Sequence, residues 1–255
     1  MLKKVDLERL LRSKNLGNTL LSNSYIDYLE KVQLASTGID ALDEALDGGL
    51  PKGELSEIVG LRSSGRMSVL CAAMAAATSR GELVGLIDTL DTFAPGSAVT
   101  SGIKLSHLLW IRGHPDTHGE DEARSLGRAL KALGLLLNAG GFGIIALDLT
   151  DLSESTLSRI PFTTWMRLPR AIKGQPTVCV PMGNRSVARS AGGVTLNLQK
   201  AEDAVRWSGN IGHGSLLRGL EVTVRVTGAR RPDDGRAFKL FISAEAMHSS
   251  SLSGS

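Results

Sequence analysis

Aromatic residues are scarce in this chain: Phe, Trp and Tyr make up 4% of its 255 residues. Its core must therefore be aliphatic, drawn from the 42% of residues that are hydrophobic. Cysteine is rarer still. Cys71 and Cys179 lie far apart, form no C-x-x-C pair, and each sits in an apolar run. They read as buried thiols in a reducing compartment. No run reaches the ~18 uninterrupted apolar residues of a membrane span. The best candidate, LGLLLNAGGFGIIAL, is broken by Asn138, Gly140, Gly141 and Gly143. The opening stretch MLKKVDLERLLRSKN is charged throughout and lacks the apolar centre of a secretory signal. These absences predict a soluble cytoplasmic protein with no membrane partner. A fifth absence is local: from Ser155 to Lys200 there is no Asp or Glu.

That last gap conceals an asymmetry. The formal charge is only +3, yet the acid-free window carries Arg159, Arg167, Arg170, Lys173, Arg185, Arg189 and Lys200. Seven of the 29 basic residues stand there, leaving 22 against all 26 acids, so the window is +7 and the remainder −4. Clustered charge of this kind suits contact with a phosphate backbone, which needs no sequence readout. A second basic group, Arg225, Arg230, Arg231, Arg236 and Lys239, is partly offset by Asp233 and Asp234 and reads as ordinary solvated charge.

The most informative segment is EIVGLRSSGRMSVL, from Glu57 to Leu70. Its spacing is that of a phosphate-binding loop, G-x-x-x-x-G-K-[ST], with Gly60 and Gly65 in place and Ser63 and Ser64 between them. The two chemical positions differ. Arg66 replaces the lysine, and its planar fork fits a tight phosphate nest poorly. Met67 replaces the hydroxyl that would hold Mg²⁺. Ser68 is one residue further along a helix, about 100° round, and points elsewhere. Asp148 ends the apolar run GIIALD, where a Walker B acid would stand.

Elements alternate along the chain. Ser36 or Thr37, with Asp40 three residues after Thr37, suits the capped start of a short helix ended by Gly48, Gly49 and Pro51. Strands are expected at Glu54–Val59, Glu82–Asp88, Leu108–Arg112, Gly143–Asp148 and Thr177–Pro181, and helices at Ser68–Ser79 and Glu120–Ala139. Leu220–Gly228 and Arg236–Ala244 flank ARRPDDG as a hairpin. The pattern predicts an α/β fold: a twisted, mostly parallel sheet flanked by helices, with a C-terminal antiparallel hairpin. The expected organisation is a helical lead-in over residues 1–36, a core over 37–245 and a polar tail over 246–255. His114 and His118, near Asp116, Glu120 and Asp121, are separated by Pro115 and read as a helix start, so no metal site is expected.

This order of segments resembles the RecA family of recombinase ATPases. STGIDALDEALDGGLPKGELSEIVG resembles the family's entry to its phosphate loop, GLRSSG its loop, LIDTLDTFAPGSAVTSGIKLSHLLW its second strand and following helix, and HPDTHGEDEARSL its next loop and helix. TVCVPMGN is similar to the strand ending in the nucleotide-sensing amide, which would be Asn184. The resemblance implies that the water-activating Glu belongs two residues after Asp88, where Leu90 stands; an alkyl group accepts no proton. With Arg66, Met67 and Leu90 in those roles, the expectation is a pseudo-ATPase with no catalytic residues and no ATP or Mg²⁺ cofactor. Arg66 is expected to pair with Asp88 or Asp148 instead.

The resemblance also places two single-stranded-DNA loops in the basic window, IPFTTWMRLPRAIKG and NRSVARSAGG. Trp165 is a candidate stacking platform there, with core packing the commoner fate of a Trp. Within the group, the altered loop and short chain are similar to ImuA-type accessory proteins of SOS mutagenesis. That similarity implies single-stranded DNA, RecA, an ImuB-like Y-family polymerase homologue and an error-prone DNA polymerase as partners in translesion synthesis. Leu7, Leu10 and Leu11 lie on one helical face and would dock on a neighbouring RecA-like core or pack on this protein's own sheet. Two other classes remain open: a divergent DNA-dependent ATPase and recombinase, and an inhibitory interaction module linked to cell-division control, in which Arg185 and Arg189 would be dispensable.

Overall fold

The structure, a computed structural model, describes residues 33–113, 122–188, 193–208, 216–228 and 237–243. Leu7, Leu10, Leu11, Arg189, the segment 114–121 with both its histidines, and the tail 246–255 lie outside the described residues. No helix among the described residues is long and apolar enough to cross a membrane.

Among the described residues ten strands and six α-helices follow in order: β1 (Leu34–Ala35), α1 (Asp40–Ala45), β2 (Leu50–Pro51), β3 (Glu57–Gly60), α2 (Arg66–Ser79), β4 (Leu83–Asp88), α3 (Pro95–Thr100), β5 (Leu108–Arg112), α4 (Glu122–Ala139), β6 (Phe142–Asp148), α5 (Glu154–Ser158), α6 (Phe162–Ile172), β7 (Val178–Gly183), β8 (Val194–Ser208), β9 (Leu216–Gly228) and β10 (Ala237–Ser243). Eight strands form one sheet in the order β10-β9-β8-β3-β7-β6-β4-β5. From β8 to β5 neighbours run parallel; β9 and β10 add antiparallel. The expected mostly parallel sheet and C-terminal hairpin are both present. β1 falls inside the segment expected as lead-in and pairs with β2.

Alternation along β6 divides the core in two. Ile144 and Ala146 face the cluster that includes α1, α2 and α3; Ile145 and Leu147 face the cluster that includes α4, α5 and α6. The result is helix layers on both faces of a buried sheet, as parallel strands require. The small residues of α2, from Ala72 to Ala77, let it lie close to the strands, with Leu70, Ala73, Met74 and Ala77 inside. Each fully buried large aliphatic side chain contributes roughly 1.5–3 kcal/mol. Cys71 and Cys179 are both buried, and burial pushes their thiols up to about 11 and about 12.

Three local expectations are corrected. Thr37 does not cap α1 with Asp40 in support. Asp43 instead reaches back from inside the helix, accepting bonds from Thr37 N (2.8 Å), Thr37 Oγ1 (2.7 Å) and Ser36 Oγ (2.6 Å). The stretch expected as a first DNA loop, Ile160 to Gly174, is mostly helix α6. Trp165, Leu168 and Ile172 fall on one face of it and are buried, which offsets the break that Pro169 would otherwise cause. Trp165 is thus a core residue at 3% exposure and not an exposed stacking platform. Finally, β8 was absent from the expected strands, though it joins the hairpin to β3.

Candidate functional site

The carboxyl ends of β3, β7, β6 and β4 lie side by side, so the Gly60 loop, Asn184, Asp148 and Asp88 come to one edge of the sheet. In open α/β sheets this edge is where ligands bind. β3 delivers the chain into the loop. A Cβ at Gly60 would collide with Ser64 Oγ and lie 2.8 Å from the Leu198 carbonyl, so only glycine passes. Ser63 (φ 62°) and Gly65 (φ 84°) are left-handed, giving the loop the alternating handedness of an anion nest. Gly65 is the N-cap of α2 with no side-chain cap bond, and Val69 N is the first amide to bond back, to Gly65 O. The backbone of a phosphate loop is therefore intact.

Its side chains are arranged differently. Arg66 is buried, and its Nη1 donates to the Gly60 carbonyl and to Asn184 Oδ1. This corrects the expected pairing: Arg66 bonds to neither Asp88 nor Asp148, and the second acts on it only through space. Burial lowers the Arg66 pKa, with Asp148 and Asp151 opposing. Met67 is packed against the core cluster under α2 and brings no oxygen to the site. A lysine-and-hydroxyl pair that would grip a Mg²⁺-triphosphate is thus replaced by a guanidinium folded onto the protein's own acceptors, and the fit to that ligand is poor.

Asp88 is committed elsewhere. Its Oδ1 accepts from Thr92 N (2.9 Å), and its Oδ2 from Phe93 N (2.9 Å) and Trp110 Nε1 (3.2 Å). The carboxylate holds the turn after β4. Leu90, in that turn, packs against the α4 side of the core. Asp91, left-handed at φ 58° in the same turn, is directed into a bidentate pair with Arg112 at 2.7 Å.

Asp151 pairs with Arg62 of the loop (3.6 Å), and Asp148 faces the loop from the end of β6. Its Oδ1 accepts from Thr150 N (2.9 Å), while its Oδ2, like Ser64 Oγ, is buried with no partner. Burial is the largest cause that raises its pKa; the bonds from Thr150 oppose it, Asp88 adds to it and Arg66 opposes it. The sign follows. A carboxyl that holds its proton more tightly when folded destabilises the fold as pH rises past the unfolded value, and fully above the folded one. Asp148→Asn is therefore expected to melt above wild type at pH 8, with the gap closing towards pH 4. Thermal melts across that range check it.

The expected DNA residues fall into two places. Arg167, Arg170 and Lys173 are exposed on and just after α6, and Arg159 is exposed at the end of α5. Arg185 is exposed on the segment after β7, and its Nη2 donates to Ser158 Oγ (2.8 Å), joining that segment to α5. Sequence reasoning missed what fixes this segment. Glu57, 1% exposed, accepts from Ser186 Oγ (2.6 Å), Val187 N (2.8 Å) and Ala188 N (3.0 Å). The available signal was a charge inside the short apolar strand that leads to the loop. Glu57, three residues before Gly60, and Arg66, six after it, thus both hold the segment that begins at Asn184. Among the described residues no group of three or more acids, histidines or cysteines could hold a metal ion.

Comparison with known proteins agrees with this geometry. The protein RecA of Streptococcus agalactiae is 34% identical over 120 residues, and that of Streptococcus pyogenes serotype M49 is 35% identical over the same length. Each match covers 47% of this chain and 29% of the relative, so the chain corresponds to less than a third of these relatives. The crystal structure of the RadB recombinase superposes with a TM-score of 0.56 at 17% identity, over 82% of this chain and 96% of that one. That similarity concerns the fold. The RecA N-terminal domain family matches residues 12–152, from before the phosphate loop to just past Asp148. Spanning more than half of the sequence, this match makes the chain a member of the RecA N-terminal domain family.

Proposed function

We propose that this chain is a non-catalytic accessory protein of DNA repair, built on the RecA fold, that binds single-stranded DNA without needing nucleotide. Its expected partners are RecA, an ImuB-like Y-family polymerase homologue and an error-prone DNA polymerase, acting in damage-induced mutagenesis. The observation that carries the reading is Arg66: its guanidinium bonds Gly60 O and Asn184 Oδ1, joining the phosphate loop to the segment that bears Arg185. In this account the arginine permanently supplies a link that a bound ligand would otherwise have to make. Met67 and Leu90 agree with it, since neither supplies the oxygen that metal binding or proton abstraction needs. The exposed arginines of α6 and the 184–188 segment supply the phosphate contacts.

The partnership rests on the resemblance to ImuA-type proteins. A pull-down from DNA-damaged cells, with the bound proteins identified, tests it; recovery of cell-division proteins alone would favour the inhibitory module. The unpartnered Asp148 Oδ2 favours a second reading, a divergent DNA-dependent ATPase that uses this acid. The two readings differ in one titration. Affinity for oligo-dT is expected to be equal with and without Mg²⁺ and ATP; a tenfold or greater gain with nucleotide would favour the ATPase.

A further inference from the structure

A cavity of about 370 Å³ opens between the end of α5, the start of α6 and the segment after β7. It lies at the small end of the range for ligand-binding cavities, about 300–1,000 Å³. None of its lining residues belongs to the Gly60 loop. Leu157, Ile160 and Val187 form apolar walls, Trp165 the floor, and Ser158, Arg185 and Ser186 the polar rim.

The cavity is braced. Trp165 belongs to the buried core and cannot swing in to fill it. The bond from Arg185 to Ser158 Oγ holds one side of the rim to the other, and Arg185 Nη2 also reaches the Glu154 carbonyl at 3.4 Å. Glu57 fixes Ser186 and Val187 from beneath. The space is therefore preformed, with apolar faces, hydroxyls and a cation at its edge, in a stretch of sequence that has no acid.

We propose that this cavity seats one unstacked nucleobase of a bound single strand, with the free donors of Arg185 on the adjoining phosphate. A base is flat and apolar on its faces, with donors and acceptors on its edge, which matches walls and rim in turn. In a single strand it leaves its neighbours at low cost. The cationic surroundings suit the attached backbone and disfavour an acid-free apolar peptide anchor. The proposal rests on the DNA-binding reading above.

The test uses the full chain and two labelled strands of equal length: oligo-dT, and a deoxyribose-phosphate strand without bases. Wild type is expected to prefer oligo-dT by about tenfold, the lower range for holding one base. Val187→Phe fills the cavity from the wall, and Ser158→Phe, at an exposed position, fills it from the rim. Each is expected to abolish the preference; Val187→Phe should leave affinity for the abasic strand within about twofold, and Ser158→Phe, which also releases Arg185, should keep that strand bound through Arg167 and Arg170. Ser158→Phe keeps the test decisive if Val187→Phe melts early. Equal wild-type affinities for the two strands, or a preference that survives Ser158→Phe, would overturn the base pocket with DNA binding intact. Failure to bind either strand would overturn the DNA reading itself.

Discussion

Replacing Arg167, Arg170 and Arg185 together with glutamate is expected to weaken binding to single-stranded DNA by on the order of a hundredfold at 50 mM salt. Each phosphate contact on a single strand contributes about 0.7 to the slope of log affinity against log salt, so losing three should flatten that slope by about 2. The slope is the sharper readout, because a general loss of folded protein lowers affinity without changing it. All three side chains are exposed, so the melting temperature should hardly move. Lys104→Glu, exposed beside α3 on the opposite face of the sheet, is the control and should leave affinity near wild type. Unchanged affinity and slope in the triple variant would remove the cationic face from the account.

Glu57→Ala should have the largest effect on stability. The substitution strands two backbone amides, Val187 N and Ala188 N, and the Ser186 hydroxyl. Ala188 is buried, whereas Val187 is partly buried and Ser186 exposed, so at about 1–3 kcal/mol for an abandoned buried donor and less for the others a total of about 3 kcal/mol is expected. In a chain of this size that lowers Tm by roughly 10 °C. Glu57→Gln keeps one acceptor oxygen for the two amides and an NH₂ that can donate to Ser186, and should lose less than half as much. Amide exchange at Val187 and Ala188 should accelerate in the alanine variant beyond that of β7, because the clamp acts on the segment and not on the strand. An alanine variant that melts within about 2 °C of wild type would show that the clamp is dispensable.

These two expectations differ in how far the sequence foretold them. The strand–loop–helix around Gly60 was legible because every part of it is local: an apolar run, two glycines at fixed spacing, then small residues. The basic window was legible as charge. Helix α6 was not, because Pro161 and Pro169 punctuate it; the first sits at its N-cap, where proline is harmless, and the second is outweighed by the buried face of Trp165, Leu168 and Ile172. Strand β8 was hidden by register shifts between Lys200 and Val205 and between Arg206 and Trp207, which break the alternation that marks a strand. The bonds that organise the site join residues far apart in the chain, Arg66 to Asn184 and Glu57 to Ser186, and no local pattern encodes such pairs. Even the expected partner of Arg66 was wrong for this reason. Both acids lay at the right edge, but Asp88 was already taken by its own turn and Asp148 was reached only through space.

The central claim is that a RecA-fold core holds its phosphate loop closed on itself through Arg66 and works by binding alone. Its most direct test is the rate of phosphate release from ATP by the purified chain, with Mg²⁺ and saturating single-stranded DNA. The account predicts a rate no higher than that of a preparation carrying Asp148→Asn. A DNA-stimulated rate that disappears in Asp148→Asn and in Arg66→Ala would contradict it.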